Sequence, residues 1–470
     1  MAGRNAASLG LGGPMCHSSI PRICMSLSLL GALALAALGA EKGPLRAGAA
    51  RVDISPPEDA ALPMSGYAGR QQGSQKIHDP IYVRALVLDN GISRAAIVTW
   101  ELIGVPDSAW VRVSQRVASE AGIPVAGLML AAVHNHGAPS PRDAYGESSS
   151  KAAAYTEKLE NAAVDAVRQA QAKLQPARVG AGTGRAYLNI NRREYMPDRE
   201  WWWLGKNPDG PSDKTVSVIK LEGLSGKPIA FFVNYAVHAV IMGPENLQVT
   251  GDLPGATSRF VEQFYRESRN QTLGRPRGDA GYYLQPRAAN TVEGDGVVAL
   301  WTSGPAGDQN PLAVARGSDF TLVDAMGQVL GEEVIRVAGS SKTVSEARLW
   351  TAQQVVTCPG QQVEPGPRPR KEYKFATADP VNIRLGLLMI NDIALASVSG
   401  EVLTMIHEHL KKESPFRNTI LVTHANGLSG YIPDDAAYDQ VSYEITTSHL
   451  KRGCAENAIV DGLLGMMGQY

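Results

Sequence analysis

The stretch LMLAAVHNHGAPSP, residues 128–141, decides how this chain is read. An apolar run ends in two histidines one residue apart, His134 and His136, and then in a Gly/Pro/Ser turn. The apolar run reads as a buried strand. Side chains alternate across a strand, so residues two apart share a face. Both imidazoles can therefore point into one pocket at the strand's end. The competing reading is one structural histidine and one facing solvent, and H-x-H is too short a pattern to choose.

Working outward, the segments alternate. The run 81–104 reads as two strands around an Asp89-Asn90-Gly91 turn, the strongest hairpin signal in the chain. Residues 108–122 have helical spacing and end at Gly122. An Ala-rich amphipathic helix follows over 150–174, then strands at 215–223 and 228–240 and a helix near 254–267. Residues 268–296 are polar and rich in Gly, Pro, Arg and Asn, and read as a loop or lid. Further on come a strand at 296–304, a helix at 319–338, a strand at 346–356, a Pro-rich loop at 359–369 and a strand pair at 383–401. A helix at 402–412, a strand at 418–427 and a last helix at 445–467 complete the chain. Alternating strands and helices predict an α/β layered domain, and the adjacent strand pairs predict a mixed β-sheet with flanking helices.

Composition sets the frame. The 470 residues are 44% hydrophobic and 19% charged, with formal net charge −1. That balance carries no electrostatic signature of nucleic-acid binding. Nothing in it sets an oligomeric state. Residues 1–39 read as a signal peptide: Arg22, an apolar run, then Ala37-Leu38-Gly39 as a cleavage pattern. That predicts a secreted or periplasmic protein. A membrane anchor is the alternative, but the apolar run falls short of the ~20 residues needed to span. Cleavage after Gly39 removes Cys16 and Cys24 and leaves Cys358 and Cys454, which allow one disulfide.

Several polar residues stand out against apolar surroundings. His238 interrupts an apolar strand; a hydrogen-bonded core histidine is the bland alternative. Glu401 follows Ser399-Gly400 where a helix begins, a place where a carboxylate is favoured by the dipole alone. Two histidines and a carboxylate with an open position would make a hydrolytic zinc site. His407-Glu408-His409 lies inside a helix, where i and i+2 diverge, and reads as surface. His424 and His449 sit in no supporting pattern. In WTSGPAGDQNP, Asp308, Gln309 and Asn310 read as a polar lining or a plain turn. Arg192 and Arg193 lie on a strand-like segment, as an oxyanion or carboxylate partner or as a surface basic pair. Trp201, Trp202 and Trp203 fall in a polar loop and could line an apolar cleft, meet a membrane, or pack in the core.

Taken in order, six segments resemble the neutral (alkaline, non-lysosomal) ceramidase family. They are GYAGRQQGSQKIHDPIYVRALVL (66–88), VHNHGAPSP (133–141), NINRRE (189–194), NYAVHAVIMGPENLQVTGDLPG (234–255), SGEVLTM (399–405) and SGYIPDDAAYDQVSYE (429–444). The resemblance spans about residues 50–455 and implies that family's α/β catalytic domain. It implies one zinc ion held by His134, His238, Glu401 and Tyr431. It places His136 and Arg192 over the substrate, assisting the developing oxyanion. The implied reaction is hydrolysis of the amide of an N-acylated sphingoid base to fatty acid and amine, with a small-molecule or lipid amide as substrate; the Trp201–Trp203 stretch adds peripheral membrane contact as an expectation.

The departures are specific. Gly307-Asp308-Gln309-Asn310-Pro311 stands where the family has Gly-Asp-Val-Ser-Pro, so Asn310 replaces the family's active-site serine. An amide is not a nucleophile. The family's C-terminal immunoglobulin-like domain has no counterpart before Tyr470, so 40–470 reads as one zinc hydrolase domain. These changes keep two alternatives in view: a hydrolase of the same fold acting on another amide or ester, and a non-catalytic protein that retains the metal.

Overall fold

The fold rests on alternation within one strand. Along Tyr82–Asp89, Val83, Ala85 and Val87 face one way, and Leu86 and Leu88 the other. The first set packs against the helices Asp107–Ala121 and Ser150–Ala172, the second against another sheet. A strand with two apolar faces must be covered on both sides, which requires a layered molecule. The computed structural model describes residues 41–70, 72–140, 150–270 and 296–470.

Eight strands form the larger sheet, in the order Val298–Ser303, Pro228–Tyr235, Thr215–Gly223, Gln175–Arg185, Arg46–Asp53, Tyr82–Asp89, Arg94–Trp100, Leu128–Ala132. Five form the second: Lys42–Pro44, Glu346–Val363, Phe375–Ile390, Ile393–Val398, Asn418–Val422. On Ile393–Val398, Ile393 and Leu395 meet the first sheet, whereas Ala394, Ala396 and Val398 meet the helices Thr404–Glu413 and Ala455–Met467. Helices Asp252–Asn270 and Thr321–Ser340 cover the far end of the larger sheet. The order is helix, sheet, sheet, helix, each interface buried by aliphatic side chains worth about 1.5–3 kcal/mol apiece. This is the expected α/β layered architecture, with two mixed sheets in place of one.

Both sheets carry parallel strand pairs among antiparallel neighbours: Arg94–Trp100 with Leu128–Ala132, Pro228–Tyr235 with Val298–Ser303, and Ile393–Val398 with Asn418–Val422. Backbone hydrogen bonds sew their carboxyl ends together: Ala132 N to His424 O at 3.1 Å, Thr423 N to Ser303 O at 2.9 Å and Asn426 N to Leu130 O at 2.8 Å. Ligand sites on α/β sheets favour the carboxyl ends of strands, and this is where the candidate residues gather.

The hairpin turn and the stop at Gly122 (φ 65°) stand as predicted. Other boundaries differ. The strand expected over 346–356 runs on through Pro359 to Val363, with a register shift between Cys358 and Gly360. Proline is tolerated there because it sits at that bulge, outside the register with Phe375–Ile390, and only its carbonyl is used, accepting from Lys451 N at 2.9 Å. The final helix is two pieces, Tyr443–Thr447 and Ala455–Met467, parted by Gly453 at φ 96°. Cys454 next to it forms a disulfide with Cys358. The tryptophans lie on a strand, Trp201–Asn207, half-buried, and not in a loop. The helix starting at Asp252 extends to Asn270, so the segment 268–296 begins as helix; residues 271–295 and the leader 1–39 lie outside the described residues. Among the described residues no helix is long and apolar enough to cross a membrane.

Candidate metal centre

His134 and His136 converge, but not by strand alternation. The strand stops at Ala132, and His134 takes a left-handed backbone (φ 58°). That conformation costs a non-glycine residue about 1–2 kcal/mol. Asn135 holds it: its Nδ2 donates to Glu101 O at 3.1 Å and Thr250 O at 2.7 Å, and its Oδ1 accepts from Gly137 N at 2.8 Å. The outcome is a separation of 3.3 Å between His134 Nε2 and His136 Nε2. His238 likewise lies beyond its strand, which ends at Tyr235.

Glu401 is not a helix-start carboxylate either. The helix begins at Thr404, while Glu401–Val402 pairs in parallel with Tyr431–Ile432. Glu401 and Tyr431 are register partners, which brings two residues thirty apart in sequence to one wall. Glu401 Oε1 is 3.2 Å from His134 Nε2, and its Oε2 is 3.6 Å from His238 Nε2.

These residues fit a metal on three counts. His134 Nδ1 is 2.8 Å from Ile103 O, and His238 Nδ1 is 2.7 Å from Ala306 O. A carbonyl can only accept, so Nδ1 carries the hydrogen and each Nε2 lone pair faces inward, the usual arrangement of a ligating histidine. Glu401 Oε2 is buried with no hydrogen-bond partner. The 3.2 and 3.6 Å separations bracket the ~3.3 Å edge of a tetrahedron with bonds of ~2.0–2.1 Å. Among the described residues there are two overlapping donor triads, His134/His136/His238 and His134/Glu401/His424, the atoms of each within 4.8 Å of one another.

The surroundings set the charges. Burial, with Arg192 next, pushes His238 down to about 4. Burial, then its neighbours His134 and His238, holds His136 well below the usual histidine range, so it is neutral. Burial favours the protonated form of Glu401, but His134 and His238 outweigh it and hold the carboxyl well below its ordinary value. Burial raises the Tyr431 phenol.

Arg192 and Arg193 are buried, not a surface pair. Arg192 donates from Nε to Glu444 at 2.7 Å and from Nη2 to Tyr431 Oη at 2.9 Å. Its Nη1 lies 3.1 Å from His238 Nε2 and 3.4 Å from Asn310 Oδ1. Arg193 instead binds Ser442 Oγ and the carbonyls of Ala437 and Gln440, a structural role. Asp308 and Gln309 do not line the site. Asp308 accepts from Thr404 Oγ1 at 2.7 Å and Asn191 Nδ2 at 2.9 Å, and Gln309 donates to Thr404 Oγ1 at 2.8 Å, so they pin three loops. Asn310 remains, partly exposed, beside Arg192.

All seven residues singled out for chemistry thus meet at one place. Sequence reasoning missed two that belong with them. Glu444, the acidic member of Tyr443-Glu444, is the buried counterion of Arg192. His424 stacks on His134, ring centroids 4.0 Å apart and 15° from parallel. The His407-Glu408-His409 run is not surface throughout: His407 is buried, 3.4 Å from Asp213, because helix Thr404–Glu413 turns that face to the core.

Two packed sheets thus bring to their strand ends a His/His/Glu/Tyr cluster whose histidine and carboxylate donors could hold a metal ion. Residues 45–320 match the family described as neutral/alkaline non-lysosomal ceramidase, N-terminal, and the chain belongs to that family. Among curated proteins it is similar to the neutral ceramidase of Pseudomonas aeruginosa, 29% identical over 289 residues, covering 59% of this chain and 41% of that protein. It is also 27% identical to neutral ceramidase B of Dictyostelium discoideum over 213 residues, 43% of this chain and 30% of the other. The chain thus spans less than half the length of these relatives. A solved structure described as a ceramidase complexed with C2 shares the fold, with TM-score 0.72 and 18% identity over 90% of this chain and 74% of that one.

Proposed function

We propose that this chain is an exported zinc-dependent amidohydrolase that cleaves the amide of an N-acylated sphingoid base to fatty acid and amine. The observation that carries the reading is the convergence of His134, His238, Glu401 and Tyr431, with His136 and Arg192 beside them. A zinc ion held by those four would supply a Lewis acid for the amide carbonyl and an acidified water. Arg192 keeps its charge because Glu444 balances it, and it can meet an oxyanion without reorganising. Neutral His136 has a buried Nδ1 with no partner and can exchange a proton with the reacting groups. Asn310 offers substrate a hydrogen bond and no nucleophile, which leaves attack to water.

Tyr431, Tyr443 and Trp203 succeed one another at ring separations of 5.7 and 5.8 Å. This aromatic run from the cluster to the tryptophan strand suits an apolar acyl or sphingoid chain. Exposed Tyr195 and Leu204 on the same hairpin suit peripheral contact with a lipid assembly. The Cys358–Cys454 disulfide accords with an oxidising compartment. Asn310 in place of serine favours a second reading: the same chemistry on a different acyl amide or ester. Assay of the zinc-loaded protein on ceramides, N-acyl amino acids and acyl esters separates the two; turnover of only the latter two classes removes ceramide.

A further inference from the structure

The loop packed on His136 carries a cation with no counterion. Residues 63–70 are stitched to the turn that follows His136: Ser65 N donates to Ala138 O at 3.0 Å and Ser140 N to Pro63 O at 2.8 Å. Gly66, at φ 92°, lies so close that a Cβ there would meet His136 Nδ1 at 2.1 Å. Tyr67 sets the edge of its ring on His136, centroids 5.0 Å apart, and donates from Oη to Met242 O at 3.1 Å. The Arg70 guanidinium lies over that phenol ring, 4.7 Å from its centroid, and donates from Nη1 to His136 O at 3.0 Å. Two ring contacts thus separate a fixed positive charge from the imidazole proposed to serve the reacting groups.

Arg70 differs from other arginines held inside this half of the molecule. Arg51, Arg84, Arg192 and Arg259 meet carboxylates of Glu262, Glu101, Glu444 and Asp79. Among the described residues no carboxylate meets Arg70, which is half-buried, and its Nε is enclosed without a hydrogen-bond partner. With Nη1 used and Nε enclosed, Nη2 is left for a ligand. A guanidinium partly withdrawn from water without a counterion costs free energy, which an anionic ligand recovers. Stacking on Tyr67 and the bond to His136 O hold it in place before any ligand arrives. Its place in the site follows from the walls. The apolar run Tyr431, Tyr443, Trp203 departs from the Tyr431 wall of the cluster, and Arg70 stands on the His136 wall. An acyl chain along the first leaves the amine half of the substrate at the second.

We propose a further activity for this site: hydrolysis of N-acyl amino acids, with Arg70 holding the substrate carboxylate on the amine side of the scissile bond. The inference rests on the zinc amidohydrolase reading above and adds an anionic substrate class to it. Arg192 meets the charge that develops on the acyl carbonyl; Arg70 meets a charge that the substrate already carries. Water adds to the acyl carbon, the C–N bond breaks, the nitrogen takes up a proton, and a fatty acid and an amino acid leave. An N-acylated sphingoid base is neutral on that side and leaves Arg70 unpaired.

The test uses the zinc-loaded full chain in lipid-free buffer, with N-octanoylglycine and its uncharged analogue N-octanoylglycinamide. The readout is the ratio of their kcat/KM values in the parent, Arg70→Gln and Arg70→Lys, with far-UV circular dichroism to verify each fold. In Arg70→Gln the ratio should fall by roughly tenfold or more, mostly through KM, the loss expected for one charged hydrogen bond. Arg70→Lys should restore part of it. A ratio within about twofold of the parental value in folded Arg70→Gln, well under the worth of such a bond, would overturn the proposal. So would an equal loss on both substrates, since that describes an arginine that only steadies His136. If the parent cleaves ceramide or the glycinamide but not N-octanoylglycine, this inference alone fails; if it cleaves none of the three, the amidohydrolase reading falls with it.

Discussion

Glu401 and Tyr431 are register partners across a parallel strand pair only two residues long. That pairing sets the two residues side by side, and the guanidinium of Arg192 touches the phenol at 2.9 Å. The cluster is therefore rigid on its Glu/Tyr side and depends on backbone pairing as much as on its side chains.

Replacing Glu401 by Gln should remove the charge that holds the metal while leaving the strand pair intact. Metal analysis should fall from about one zinc per chain to well below half. His238→Ala should behave alike. Retention of zinc by either variant would contradict the assignment of that residue.

His136→Ala should keep its metal and lose rate, by on the order of 10²-fold if the imidazole serves the reacting groups. Activity at the parental rate would remove His136 from the chemistry.

Arg192 and Glu444 form a buried ion pair at 2.7 Å. Breaking one side strands the other charge, so Arg192→Met or Glu444→Gln alone should lower stability by about 3–5 kcal/mol. The double variant should recover most of that loss in urea melts and none of the activity. A stability penalty that simply adds would show the pair to be uncoupled.

Asn310→Ser keeps the four proposed metal ligands and changes the group, 3.4 Å from Arg192, that the sequence resemblance sets against the family's serine. If position 310 selects substrate, the preference between ceramides and simpler acyl esters should shift by tenfold or more in kcat/KM. An unshifted ratio would place selection elsewhere.

Asp252 gives the pH signature. Its carboxyl is fully buried and accepts from the backbone N–H groups of Ile241, Met242 and Leu253. Burial raises it to about 6, and the three N–H donors oppose that only in part. A carboxyl raised in the folded state binds its proton more tightly there than in the unfolded chain. Its contribution is therefore complete below the unfolded value of ~3.9 and is lost as pH climbs through about 6. Relative to Asp252→Asn, the parent should lose about 2 kcal/mol between pH 4 and 7, read as urea midpoints. A constant difference across that range would refute the assignment.

Local pattern settled much of this protein. The Asp89-Asn90-Gly91 hairpin, the stop at Gly122, the alternating apolar faces and the layered α/β class all follow from neighbour-to-neighbour physics, which a sequence displays directly. Motif order also brought out His134, His136, His238, Glu401 and Tyr431 one by one. What it could not display was why they meet. His134 and His238 both lie past the ends of their strands, and His134 is aimed by a left-handed turn that Asn135 secures, not by strand alternation. Glu401 reaches Tyr431 through a pairing closed across 30 residues, and Arg192 finds Glu444 across 252. His424 had no sequence pattern because its position depends on bonds to Gly400 and Ala132, from the other side of the site. Periodicity reports which way a side chain faces within its own element; convergence of strand ends from two sheets is a long-range property that only the packed layers decide.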